Sequence, residues 1–155
     1  MAVSPRVRTQ VQVMFFDTDC GGVVSNIAYL RFIEIARTLL AEQLGLALRE
    51  MAENYRYPVV VRTEIDYRRP AKLGDQLVIE GWLDRAERVR FWCGFQITRP
   101  ADNMLIARCR QMLALIEMPE GKLLRLPEHW EKYRSDDSAE LEREDRTPIS
   151  GKEAI

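Results

Sequence analysis

The stretch FDTDCGGVVSNIAY, residues 16–29, joins a strand-like segment to a long helical one. Asp17 and Asp19 stand where the strand pattern ends, and the predicted helix begins seven residues after the second acid. A carboxylate held near free amides at a helix N-terminus can attack a carbonyl, or direct water to it, while those amides stabilise the developing oxyanion. The stretch therefore indicates a site suited to acyl transfer.

A structural role competes with this interpretation. Asp17 and Asp19 have side chains that readily form Asx-turns or cap a helix, and spacing alone does not separate the two roles. Gly21 and Gly22 favour a functional reason, because close approach of the backbone to a substrate, or a left-handed dihedral, requires a missing side chain.

Hydrophobic periodicity predicts the flanking elements. Residues 7–16 alternate as in a half-buried strand, and the segment from about Asn26 to Leu44 has helical spacing. The residues at this spacing are Ile27, Leu30, Ile33, Leu40 and Leu44, with Phe32, Ala36 and Leu39 on a neighbouring face. Ser25 or Asn26 is the expected N-cap, Glu34 and Arg37 form an i,i+3 pair, and Gly45 suits a left-handed stop.

Four more strand patterns follow Pro58, at about 59–69, 76–85, 88–99 and 104–117. Short connections predict antiparallel neighbours, so the fold class is α+β: a five-stranded antiparallel sheet wrapped around one long central helix. Residues 46–57 are expected to form a loop with room for a short helical turn. We expect a single domain over residues 1–134 and a charged, solvated, dispensable tail over 135–155.

Composition excludes several classes of protein. The 155 residues carry 23 basic and 24 acidic side chains, a balance that argues against nucleic-acid binding. Three scattered cysteines and one histidine, His129, make a disulfide framework or a zinc site unexpected. Without an apolar leader pattern or a long uncharged run, we expect no membrane span and a cytoplasmic location.

The motif DTDCGGVV at 17–24, followed by Tyr29 and by EIAR at 34–37, resembles the hotdog-fold acyl-CoA thioesterases of the 4-hydroxybenzoyl-CoA thioesterase group. It is most similar to the Tol-Pal-associated acyl-CoA thioesterase branch. The resemblance continues through DYRRPAKLGD at 66–75 and Leu126-Pro127, and so covers about residues 7–130. It implies a hotdog fold, hydrolysis of an acyl-CoA thioester without metal or bound cofactor, and a homo-oligomer, either a dimer or a homotetramer built as a dimer of dimers.

The resemblance also implies roles for individual residues. Asp19 becomes the catalytic carboxylate, acting as nucleophile through a mixed anhydride or as general base for water, and both routes stay open. The Asn26 backbone amide becomes the oxyanion donor, and Asp17 a supporting residue. Ser25-Asn26 stands where relatives of that branch usually carry Tyr-His, and an amide side chain cannot replace a histidine in acid–base work. The Asn26 side chain is expected to cap the helix or to contact the acyl carbonyl.

Substrate-binding residues follow from the same resemblance. Gly21, Gly22, Val23 and Tyr29 are expected near the thioester, although a packed Tyr29 with a bonded hydroxyl is the stronger interpretation. Basic side chains on the later strands and turns are expected against the coenzyme A phosphates. The favoured candidates are Arg85, Arg88 and Arg90 in the 84–90 turn, followed by Arg69 and Lys72.

Three alternatives remain at this stage. Hotdog hydratases and dehydratases pair an acid with a histidine, which the motif region lacks. Cys20 has no neighbouring base in the sequence that would form its thiolate. A non-catalytic acyl-CoA-binding or assembly protein is the main competitor to a thioesterase. The sequence does not decide whether the acyl group is short, long or aromatic.

Overall fold

The long helix of this chain lies in the hollow of a curled antiparallel sheet, in a computed structural model that describes residues 3–134. The strands are β1 Arg6–Gln12, β2 Arg56–Tyr67, β3 Gln76–Ala86, β4 Arg90–Arg99, β5 Met104–Glu117 and β6 Lys122–Leu123. The helices are α1 Asn26–Gln43 and α2 Leu48–Asn54, with 3-10 turns at Phe15–Asp17 and Glu128–Tyr133. The α+β sheet-around-helix fold is thus confirmed. The expected tail, 135–155, lies outside the described residues, so its boundary stays a prediction.

Helix α1 begins and ends where local sequence signals place it. Ser25 is the N-cap, and its hydroxyl accepts a hydrogen bond from the Ala28 amide at 3.3 Å. The alternative cap, Asn26, is instead the first helical residue. Gly45 ends the helix at a φ of +80°, and the Leu46 amide then bonds back to the Ala41 carbonyl at 2.8 Å. The predicted stop is confirmed.

The buried face of α1 differs from the predicted apolar stripe. The side chains that face the sheet are Ala28, Tyr29, Phe32, Ile33, Ala36 and Leu40. Ile27 and Leu30 share the helical spacing but stay 67% and 38% exposed, because one curled sheet covers only part of the circumference. No helix within residues 3–134 is long and apolar enough to cross a bilayer.

The sheet order is β1-β3-β4-β5-β2, and every pairing is antiparallel. The expectation that consecutive strands are neighbours is therefore wrong for β2, which pairs with β5 at the edge rather than with β3. The short connection 68–75 therefore joins two strands that are not neighbours in the sheet. A sixth strand, β6, adds only two residues beside β5, and α2 is a longer helix than the turn expected there.

The two ends of α1 lie at opposite ends of the sheet. Its N-terminal end meets the loop after β1 and the connection 68–75, since the Val24 amide bonds to the Ala71 carbonyl at 2.8 Å. At its C-terminal end, the Trp130 indole donates to the Leu44 carbonyl at 2.9 Å and its ring packs 5.0 Å from Phe91. With about 1.5 Å per residue, the 18 residues of α1 separate these ends by about 27 Å.

Candidate active site at the N-terminal end of helix α1

The DTDCGG motif folds as a tight hairpin rather than as the end of a strand. Strand β1 stops at Gln12, short of the predicted residue 16, and a 3-10 turn follows. Beyond it, the Asp19 amide bonds to the Val23 carbonyl at 2.9 Å, and the Ser25 amide bonds to the Asp17 carbonyl at 2.8 Å. Residues 17–19 and 23–25 therefore run antiparallel, and the hairpin leads directly into α1.

Each glycine at the hairpin tip has its own structural reason. Gly22 adopts a φ of +74°, a left-handed conformation that side chains disfavour. A Cβ added at Gly21 would lie 3.1 Å from Oδ1 of Asp19. Gly21 therefore lets the Asp19 carboxylate fold back onto the loop, and both glycines shape the position of this acid.

Asp19 presents its carboxylate at the surface of the hairpin. Oδ1 accepts a hydrogen bond from the Gly21 amide at 2.8 Å, whereas Oδ2 accepts none from residues 3–134. The acid lines a groove together with Phe15, Thr18, Cys20, Gly22 and Leu73. One carboxylate oxygen is thus held by the backbone while the other is free to meet a substrate or a water.

Asp17 has the opposite environment, because its side chain is buried. Its carboxylate accepts a hydrogen bond from the Met14 amide at 2.8 Å and forms an ion pair with the guanidinium of Arg31 on α1. These contacts tie the hairpin to the helix and fit the supporting role expected for Asp17. Arg31 was not among the residues predicted for the site. It lies fourteen residues after Asp17, on the helix that follows the hairpin.

The first amides of α1 are free to meet a ligand. Ser25 occupies the Ala28 amide, and no acceptor within residues 3–134 takes up the Asn26 or Ile27 amides. Asn26 lines a groove of about 320 Å³ with Val24, Tyr29, Tyr67, Arg68, Arg69 and Pro70. In the isolated chain, Asp19 and Asn26 open into two neighbouring grooves that share no lining residue.

Tyr29 and the Pro70–Lys72 segment close the space between hairpin and sheet. The buried Tyr29 hydroxyl accepts a hydrogen bond from the Ala71 amide at 3.1 Å, and burial raises the pKa of this tyrosine. Ala71 is fully buried, and the backbones of Val23 and Lys72 form an antiparallel bridge. The structural interpretation of Tyr29 is confirmed, and its ring also forms part of the Asn26 groove.

Three arginines converge beside this groove. Arg68 and Arg69 line both the Asn26 groove and an adjacent hollow that also contains Met104, Leu105 and Arg108. The backbone alone accounts for the convergence, since β5 places Arg108 opposite Asp66 at the end of β2. Within residues 3–134, no carboxylate lies within ion-pair distance of Arg69 or Arg108. Arg108 was not among the predicted residues, because only the β2–β5 register shows its position.

The sequence favours three arginines of the 84–90 turn as phosphate ligands. In the structure this turn lies at the other end of the sheet. The Leu126 amide bonds to the Arg88 carbonyl at 3.0 Å, which places this turn beside the C-terminal end of α1. Arg85 also pairs with Glu87 at 3.1 Å, while Arg88 and Arg90 are exposed. Within one chain, these three side chains do not meet Asp19, Asn26, Arg69 or Lys72.

The cysteines divide into one exposed and two buried thiols. Cys20 is exposed beside Asp19, whereas Cys93 and Cys109 lie in the core. Burial raises the pKa of each buried thiol to about 12. His129 is placed at the C-terminal end of α1, where its ring nitrogen lies 3.3 Å from the Leu44 carbonyl. The single histidine is therefore far from Cys20.

Comparison with known proteins identifies relatives over most of the chain. Residues 13–132 match the model of the Thioesterase-like superfamily. A 1,4-dihydroxy-2-naphthoyl-CoA hydrolase from Synechocystis is 31% identical over 122 residues, which cover 77% of this chain and 88% of the relative. The acyl-CoA thioesterase YbgC from Haemophilus influenzae is 29% identical, covering 76% of this chain and 85% of the relative.

The folds agree as well. A crystal structure of Slr0204, a 1,4-dihydroxy-2-naphthoyl-CoA thioesterase from Synechocystis, superposes with a TM-score of 0.74. The two sequences are 27% identical, and the alignment covers 85% of this chain and 97% of the other. The resemblance inferred from the DTDCGGVV and DYRRPAKLGD motifs is thereby confirmed.

Proposed function

The chain belongs to the Thioesterase-like superfamily, and from this membership we propose that it hydrolyses the thioester of an acyl-CoA to a free acid and coenzyme A, with Asp19 as the reacting carboxylate. One observation carries the assignment of the site. The hairpin that holds Asp19 with one free oxygen leads directly to the free amides of Asn26 and Ile27. A base or nucleophile and an oxyanion site are the two parts that acyl transfer needs.

The chemistry divides into two routes that share these groups. As a general base, the Asp19 carboxylate takes a proton from water while the water oxygen bonds to the thioester carbon. As a nucleophile, it bonds to that carbon itself, and water then hydrolyses the mixed anhydride. In both routes the carbonyl oxygen becomes an oxyanion that the Asn26 amide stabilises, and the C–S bond breaks to release coenzyme A thiolate.

The arginines beside the Asn26 groove support one orientation of the coenzyme A moiety in the site. We propose that its phosphates lie against Arg68, Arg69 and Arg108, with Lys72 on the neighbouring connection, because Arg68 and Arg69 line the groove that contains Asn26 and Arg108 lines the hollow beside it. The acyl group then points toward the Asp19 groove, whose wall includes the exposed apolar side chains of Phe15 and Leu73. We propose that Gly21, Gly22 and Val23, in the hairpin between the two grooves, lie next to the thioester. Arg85, Arg88 and Arg90 join the same site only if a second copy of the chain brings them there.

The free thiols support the expected compartment. Cys20, Cys93 and Cys109 are all unpaired, which suits a reducing environment, and we propose that the reaction takes place in the cytoplasm. The Synechocystis relative is named for an aromatic acyl-CoA, so the substrate screen should contain aromatic as well as short and long aliphatic acyl groups.

The proposal is tested by measuring thiol release from such a panel of acyl-CoAs. We expect turnover of at least one acyl-CoA by the wild-type protein and a loss of about 10²–10⁴-fold in Asp19→Asn, which keeps the size of the side chain but removes its charge. Asp84→Asn is the matched control, since Asp84 is paired with Arg110 on another part of the surface. Tight binding of acyl-CoA without hydrolysis by the wild type would support the non-catalytic alternative.

A further inference from the structure

Arg99, at the end of β4, makes four hydrogen bonds that none of the proposed catalytic steps requires. Its Nε and Nη2 donate to the two oxygens of Asp102 at 3.0 and 2.7 Å. Its Nη1 donates to the Pro70 carbonyl at 3.2 Å and to Oδ2 of Asp75 at 2.9 Å. The side chain of Arg99 is only 19% exposed, and these bonds raise its pKa and lower that of Asp102.

This guanidinium holds both ends of the segment 70–75, which forms most of the connection 68–75 between β2 and β3. Pro70 is the first residue of that segment and Asp75 the last, and Asp75 also accepts the Lys72 amide at 2.9 Å. A planar guanidinium can bridge several acceptors at fixed angles, which a single ammonium cannot do. Arg99 therefore joins the two ends of the segment through one side chain.

The 70–75 segment contacts two parts of the candidate active site, the hairpin that carries Asp19 and the first turn of α1. Between its two ends, Ala71 accepts the Val24 amide at 2.8 Å and donates to the Tyr29 hydroxyl at 3.1 Å. Val24 lies in the returning arm of the hairpin that carries Asp19, and Tyr29 lies in the first turn of α1. Pro70 itself forms part of the groove that contains Asn26.

We propose that Arg99 is a positioning residue for thioester hydrolysis, acting through the 70–75 segment to set the Asn26 amide and the Asp19 hairpin relative to each other. Arg99 lines neither groove. The kinetic part of this inference rests on the proposed function, whereas the structural part does not. Displacement of a catalytic group by about 1 Å costs about 10²-fold in rate, so loosening of this segment is expected to lower kcat more than it raises KM.

The experiment compares Arg99→Gln, Arg99→Lys and the control Arg56→Gln. Arg56 also forms an ion pair, with Glu117 at 3.0 Å, but it is more exposed and lies at the start of β2, at the other end of the sheet. For each protein, kcat, KM and the melting temperature are measured, together with hydrogen–deuterium exchange in peptides that cover residues 20–29 and 68–76. Exchange reports how readily the backbone hydrogen bonds of the segment open, whether or not the protein is active.

In Arg99→Gln we expect kcat to fall tenfold or more, by the same misplacement argument, with KM changed less than about threefold. Exchange should become faster in both peptides. Arg99→Lys should recover part of kcat, and Arg56→Gln should match the wild type. If Arg99→Gln does not fold, Asp102→Ala is measured in the same way, since it removes both acceptors that hold the guanidinium in place and keeps Arg99 itself.

Unchanged exchange in both peptides of a folded Arg99→Gln protein would overturn the proposal. An equal loss of kcat in Arg56→Gln, or a rise in KM with kcat unchanged, would also overturn it. If the wild-type protein hydrolyses no acyl-CoA, the proposed function fails, and the exchange comparison still decides whether Arg99 positions the segment.

Discussion

The buried carboxylate of Asp17 forms an ion pair with the guanidinium of Arg31, fourteen residues further along the chain. This contact joins the hairpin of the candidate active site to the helix that supplies its free amides. We predict that Arg31→Met lowers the free energy of unfolding by about 1.5–3 kcal/mol, the contribution expected of a hydrogen bond to a charged group. Urea denaturation of both proteins measures it.

The control for this prediction is an ion pair without a buried partner. Arg8 and Glu80 lie 3.5 Å apart, both at the surface, so Arg8→Met should cost less than about 1 kcal/mol. Equal destabilisation by the two substitutions would show that the burial of Asp17 adds nothing to the stability of the protein.

Asp17→Asn should reduce hydrolysis less than Asp19→Asn does, since Asp17 supports the loop and is closed off from the grooves.

Asn26 allows a test of the oxyanion donor that leaves the helix intact. Because Asn26 is the first helical residue and Ser25 before it is extended at a ψ of 151°, a proline is compatible with this position. Asn26→Pro removes the Asn26 side chain together with an amide that bonds to no other group in residues 3–134. We predict an unchanged circular dichroism spectrum and a fall in kcat of about 10²-fold or more.

Asn26→Ala is the matched variant, since it keeps the amide and removes the side chain. It should retain most of the activity. A severe loss in Asn26→Ala with an unchanged spectrum would instead assign the role to the side chain, and would make Asn26 a functional replacement for the histidine of its relatives.

Local patterns predicted the parts of this fold that depend on local chemistry. The limits of α1 follow from Ser25 and Gly45, and the five long strands from alternation and turn residues. The β2–β5 pairing was missed because register and strand order depend on contacts between residues far apart in sequence. The same reason explains the candidate site: Asp19 and Asn26 belong to one contiguous motif, whereas Arg99 and Arg108 come close to it only through the sheet.

The phosphates of coenzyme A provide a direct test of the arginine cluster. We predict that Arg69→Gln and Arg108→Gln each raise KM for an acyl-CoA about tenfold, since a charge-assisted hydrogen bond contributes about 1.5–3 kcal/mol and about 1.4 kcal/mol corresponds to a factor of ten. The same acyl group carried on pantetheine, which lacks the nucleotide phosphates, should show no such change.

Arg88→Gln distinguishes the two candidate phosphate sites, which lie at opposite ends of the sheet. A rise in KM in this variant, with Arg69→Gln and Arg108→Gln unchanged, would contradict the proposed position of the phosphates. It would place them at the 84–90 turn, brought to the thioester by a second copy of the chain.

The three cysteines should differ sharply in reactivity. We predict that iodoacetamide at pH 8 adds one group to the native protein, at exposed Cys20, and three groups after denaturation. The pKa of each buried thiol is raised to about 12, so at this pH both Cys93 and Cys109 are protonated and unreactive. Intact and peptide masses report the sites. Cys20→Ala should keep full hydrolysis, and its inactivity would revive the cysteine-nucleophile alternative.

The exposed apolar side chains of α1 predict the assembly state. Ile27, Leu30, Ile35 and Leu39 remain 37–67% exposed on a helix that the sheet covers on one side only. Val60 and Val61 are exposed on β2, an edge strand of the sheet. Apolar patches and open edges of this kind favour association, so we predict a dimer or a dimer of dimers at micromolar concentration. Light scattering that gives a folded 18 kDa monomer would contradict this.

Val61→Lys should shift the protein toward smaller species, because a charged edge opposes strand pairing, whereas Leu48→Lys on α2 should leave the mass unchanged.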